Sequence, residues 1–188
     1  MSLYRIRATA FRVLSQLRHD PRTIALVVVV PPMLLILLKY VFEGEPRLFS
    51  SIAPMLLGIF PMMMMFLIAS IVTLRERSSG TLSRLMTMPI SKADFIFGYA
   101  LAFALLGLVQ AFVSAATILW LLDVSVLGGA FATILVAVLA SFLGTAMGLF
   151  TSAFARSEFQ AVQFLPAFLL PQILVCGLFV ARDAMAQP

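Results

Sequence analysis

Catalysis or metal binding needs side chains that ligate, attack or exchange protons, and this sequence offers few. Its single histidine, His19, stands beside Asp20, and its single cysteine, Cys176, lies in an apolar run. A structural metal site takes about four ligands, so His19–Asp20 reads as an exposed pair at a helix end, with no second pair to complete a site. One cysteine forms no intrachain disulfide. No GxxxxGK[ST] motif occurs, so the chain has no P-loop of its own. What remains inside the apolar stretches is neutral and polar. Gln110, Ser114 and Thr117, spaced i, i+4, i+7, share one helical face, and Gln163 lies in a later stretch. Such groups hydrogen-bond between helices by default, and as a set they are the weak candidates for a substrate path. No catalytic or metal-binding residue is predicted.

Those groups are set in a strongly apolar chain. Of 188 residues 62% are hydrophobic and 11% charged, with mean hydropathy +1.09; a soluble domain carries roughly a quarter charged residues. This is the composition of an integral membrane protein. Five stretches are long enough to cross a hydrocarbon core of about 30 Å: approximately Ile24–Phe42, Ile52–Leu74, Phe95–Leu122, Val126–Ala155 and Phe159–Val180. Helices satisfy their own backbone in lipid, and the alternation of a barrel strand is absent. The expected fold is all-α, a polytopic bundle forming one domain over residues 1–188. Lys39, the one charge inside a span, sits near its end and can reach the interface.

Basic residues set the orientation. Arg5, Arg7, Arg12, Arg18, Arg22, Arg75, Arg77, Arg84, Lys92 and Arg156 fall on one side, against Lys39, Arg47 and Arg182 on the other. The acids divide evenly, as they do where basic residues rather than net charge set topology, so the N-terminus is expected to be cytoplasmic. The net charge of +5 follows this pattern rather than one for nucleic acid. Five spans place 181–188 outside, and a chain ending there is expected to lack a sixth span.

Before the first span, Leu3, Ile6, Ala10, Val13, Leu14 and Leu17 gather on one side of a helical wheel, with Arg5, Thr9, Arg12 and Gln16 opposite. This predicts an amphipathic elbow over 1–20 lying in the interface and ended by Pro21. Between the second and third spans, residues 75–92 form a polar loop. In it Ser78 or Ser79 caps a helix of ~10 residues, Leu82, Leu85 and Met86 form its apolar face, and Pro89 ends it. Ser91-Lys92-Ala93-Asp94 then reads as a capping box opening the third span. An amphipathic helix of this kind serves either as a surface connector or as a docking element.

The run Arg75-Glu76-Arg77-Ser78-Ser79-Gly80-Thr81-Leu82, followed by Leu85 and Met86-Thr87-Met88-Pro89, resembles the RERxxGTLExLxxTP signature of type-2 ABC exporter permeases, particularly the daunorubicin-resistance-like branch. The elbow and the fifth span ending in Gly177-Leu178-Phe179 are similar too. Ser83 stands where the family often has glutamate, and Met88 where threonine is common. The resemblance implies six spans in a plasma membrane of bacterial type, a pair of permease subunits and a coupling helix that docks on a separate cytosolic ABC ATPase. Arg75, Glu76, Arg77, Gly80, Thr81, Leu82, Leu85, Met86 and Pro89 would be the coupling residues. ATP and Mg would belong to that partner, with no cofactor and no enzymatic activity in this chain. The expected function is efflux of a hydrophobic or amphipathic substrate such as a drug, lipid or lipid-linked glycan. A non-transporting scaffold using the same loop is the competing reading.

Other features have structural uses first. Pro31, Pro32, Pro54, Pro61, Pro166 and Pro171 predict kinks in spans one, two and five. Ala140, Gly144 and Gly148 form a small-xxx-small ridge for close helix packing. Met62-Met63-Met64-Met65 covers every face of its helix, so only part of it can line a cavity.

Overall fold

The computed structural model describes residues 2–81, 85, 87, 91–124 and 129–175. These form six α-helices and no strand: α1 (Leu3–Arg18), α2 (Pro21–Val41), α3 (Pro46–Ser78), α4 (Lys92–Ala116), α5 (Gly129–Phe154) and α6 (Glu158–Val175), with a π-helical turn, Thr117–Leu121, continuing α4. Helices α2 to α6 are long and apolar enough to cross a membrane. The chain is a multi-pass helical membrane protein.

Local chemistry sets the joints. At His19 the backbone N–H still bonds back into α1, but Asp20 leaves the helix and caps α2. Thr23 donates its hydroxyl (2.6 Å) and its amide (3.3 Å) to the Asp20 carboxylate. Those two bonds, the hydroxyl foremost, hold the Asp20 pKa below the usual carboxylate value. Pro21 fits at the first helical position, where no intrahelical donor is needed. The predicted capping box forms as read: Ser91 Oγ accepts from the Asp94 amide (3.1 Å), and Asp94 Oδ2 accepts from the Ser91 amide (3.3 Å). Lys39 does more than reach the interface. Its ammonium donates to the Leu122 carbonyl (3.0 Å), satisfying the chain end of the π turn.

α3 is the axis of the bundle, packing most extensively on α5 and also against α2, α4 and α6. Close approach to α5 depends on glycine. A Cβ on Gly144 would fall 2.1 Å from the Met62 carbonyl oxygen, and one on Gly148 would fall 2.5 Å from that of Phe66. The buried stripe of α5 runs through Ala137, Ser141, Gly144 and Gly148, with Ala140 half-buried at its edge. The ridge is thus real but turned from the predicted Ala140 toward Ala137 and Ser141. The hydroxyls of Thr133, Ser141, Thr145, Thr151 and Ser152 bond back to their own helix, so α5 buries them with partners.

Two differences from the sequence reading matter for function. α3 runs through Arg75, Glu76 and Arg77 to Ser78, so the polar connection is shorter than the predicted loop. And α1 is packed into the protein. Its Ala10, Val13 and Leu17 share a core with Tyr99, Ala102 and Phe103 of α4. Thr9, expected on the polar face, is buried against Gly98, where a Cβ would come within 2.6 Å of its own. The absence of a side chain at Gly98 lets α1 seat closely on α4, while Leu3, Tyr4 and Phe11 stay exposed. All six internal prolines fall inside helices, as expected. Of the methionine run, Met62 and Met65 face the core and Met63 and Met64 are half-buried.

Candidate functional site

Arg75, Glu76 and Arg77 occupy the end of α3 on consecutive positions, so their side chains leave the helix about 100° apart. Each therefore reaches a different neighbour. Arg75 donates through Nε and Nη2 to Glu158 Oε1 (2.7 Å) and Oε2 (3.1 Å), at the exposed start of α6. Glu76 turns inward and is 7% exposed. Its carboxylate accepts from the Arg12 guanidinium of α1 at 3.2 to 3.4 Å. Arg12 Nη2 also donates to the hydroxyl of fully buried Tyr99 on α4 (2.6 Å), with the guanidinium carbon 5.8 Å from the ring centre. Arg77 donates to the carbonyls of Ala153 (2.6 Å) and Ala155, at the end of α5 where the helix dipole favours a cation.

One helical turn thus ties α3 to α1, α4, α5 and α6. Asp94 adds a further tie, since its Oδ1 accepts the Ser2 amide at the start of α1 (3.0 Å). Ser79 ends α3, and Gly80 follows with φ +75°, the left-handed conformation that closes a helix and suits glycine. Thr81 and Leu85 are helical again. A shallow groove of about 540 Å³ opens between the ends of α1 and α3 and the start of α6, with Gln16, Asp20, Arg75, Ser78, Thr81 and Glu158 in its walls.

Of the predicted coupling residues, Leu82, Met86 and Pro89 lie outside the described residues. Leu85, expected on an outward apolar face, is half-buried and packs on the core shared by α1, α3 and α4. Glu76 likewise faces inward. Arg75, Glu76 and Arg77 act as braces, and among the described residues Ser78, Ser79 and Thr87 are exposed beside Arg75. The weak substrate-path set is divided. Gln110 and Ser114 are fully buried and Thr117 nearly so, with Thr117 bonded back to Val113, whereas Gln163 is exposed on α6. The amide of Gln110 and the hydroxyl of Ser114 have no partner among the described residues.

The Arg12–Glu76–Tyr99 network escaped the sequence reading because its members lie 64 and 87 positions apart, and nothing local pairs them. A tyrosine inside an otherwise apolar span, whose hydroxyl needs a buried partner, was the available signal.

Residues 4–188 match the family model described as ABC-2 type transporter. The chain belongs to the ABC-2 type transporter family, and is a membrane permease domain of an ABC transporter rather than a catalytic one. No curated protein and no solved structure matches it.

Proposed function

We propose that this chain is the membrane subunit of an ATP-driven exporter, coupled through residues 79–91 to a cytosolic ABC ATPase that binds ATP and Mg. The observation that carries the proposal is the branching of the last turn of α3, where three adjacent charged side chains engage α6, α1 and the end of α5. A displacement of the segment following Gly80 moves α3, and the braces pass that movement to the other helices. Coupling residues therefore divide into those that meet the partner and those that transmit. Arg75, Glu76 and Arg77 belong to the second group, and Leu85 anchors the segment to the permease.

A second permease subunit completes the pathway in this reading. α6 buries only Ala161 among its described residues and presents Gln163 outward, and an amide facing hydrocarbon favours a helix or polar path that can bond it. No charge occurs in α3 between Phe49 and Leu74 or anywhere in α5, which suits a hydrophobic or amphipathic substrate moving outward from the cytoplasm.

Single cysteines at Ser79 and Thr87, in a Cys176→Ser background, test the docking face. A bulky maleimide at either position should abolish stimulation of the co-purified ATPase, while the same label at Gly44 should leave it intact. Undiminished stimulation with Ser79 and Thr87 both labelled would reject this face as the coupling surface.

A further inference from the structure

Between the elbow-end halves of α4 and α5 lies a groove of about 650 Å³ that shares only Arg77 with the coupling reading. Ile96, Ala100 and Ala104 of α4 and Phe142, Ala146 and Phe150 of α5 line it, each set at i, i+4, i+8. The alanines make the trough and the larger residues its banks. It runs about 12 Å along the helices, within segments that cross the membrane. A helix laid along that length would fill roughly 900 Å³, more than the groove holds, whereas an extended hydrocarbon chain is thinner.

The end of the groove nearest the α3 terminus is polar and cationic. Arg77 and Thr73 lie in its wall. Arg77 contacts only carbonyl oxygens, its charge meeting no carboxylate among the described residues, and the Thr73 hydroxyl has no partner there. Exposed Lys92 stands one turn before Ile96 on the same face of α4, and exposed Arg156 follows the end of α5. An apolar trough at membrane depth with positive charge at its interfacial end is complementary to one kind of molecule. We propose that this groove binds an anionic phospholipid from the leaflet at the α1 end, with an acyl chain between Ala100 and Ala146 and the phosphate near Arg77, Lys92 and Arg156. The inference needs only the membrane spans and is independent of transport.

The test uses the full chain in phosphatidylcholine vesicles containing a trace of phosphatidylglycerol with a photoactivatable acyl chain, and mapping of labelled peptides. Label should concentrate on 96–104 and 142–150, fall severalfold in Ala146→Trp, and yield to excess phosphatidylglycerol but not to further phosphatidylcholine. Replacing Lys92 and Arg156 by Gln, which leaves the packing untouched, should weaken the preference for the anionic lipid roughly fivefold per charge removed. Uniform labelling of α2 and α6, or equal competition by phosphatidylcholine, would overturn the proposal. So would chain-to-chain cross-linking through a cysteine at Ala146, which would assign the groove to a second copy.

Discussion

Glu76 is the only acid in the last turn of α3, and its burial decides how the three neighbouring charges differ. Removing Arg12 leaves a carboxylate enclosed beside Tyr99, and breaking a buried pair from one side costs roughly 3–5 kcal/mol. Arg75 and Glu158 are both exposed, so that pair contributes under about 1 kcal/mol. Arg12→Met should therefore lower the thermal midpoint of the detergent-purified protein far more than Arg75→Ala. Arg12→Met combined with Glu76→Leu should recover much of the loss. Equal effects of the two single variants would contradict the assignment of Glu76 as buried and paired. The carboxylate was legible in the sequence as part of a charged motif, but its direction was not. On a helix end a single step of about 100° separates solvent from core, and only the neighbouring helices decide which residue takes the inward position.

At the scale of the elements, apolar runs located every crossing helix among the described residues, because a span is defined by length and hydropathy alone. Their ends were less legible. α3 outruns its apolar stretch since its terminal charges find partners on α1, α5 and α6 instead of water. α1 carried the pattern of an interfacial helix, but not the sign that Gly98 would admit Thr9 and seat that residue on α4. Leu85 shows the same limit, since its apolar character did not tell that it would pack, half-buried, on the core of its own chain. Glycine substitutions probe these joints. Gly80→Ala would hold alanine in the left-handed region at about 1–2 kcal/mol, and should loosen the junction between α3 and the following segment. Gly144→Ala drives a methyl into the Met62 backbone, where overpacking costs typically 1–3 kcal/mol. Gly144→Ala should reduce the yield of folded protein, whereas Gly58→Ala, with only a Val136 methyl 3.9 Å away, should not. Similar yields would show that α3 and α5 are not in close contact.

For the whole molecule, the distribution of arginine and lysine predicts Ser157 on the cytoplasmic side and Gly44 on the opposite one. Single cysteines at those positions should be protected from and accessible to, respectively, an impermeant thiol reagent in intact cells. The reverse pattern would invert the orientation and remove the coupling face from the compartment that holds ATP.

α3 has one further consequence. Its 33 residues make a rod of roughly 50 Å, far longer than the ~30 Å hydrocarbon layer. The close approaches that glycine permits on it, Met62 against Gly144 and Phe66 against Gly148, lie near its middle. These contacts form a fulcrum, with arms of about 21 Å toward Ser78 and about 27 Å toward Pro46. An excursion at Ser78 would be returned at Pro46 in the opposite direction and slightly enlarged, less what bending at Pro54 and Pro61 absorbs. If the segment after Gly80 moves as proposed, the second membrane helix would work as a seesaw, and the two prolines would set how much of its stroke arrives at the far side.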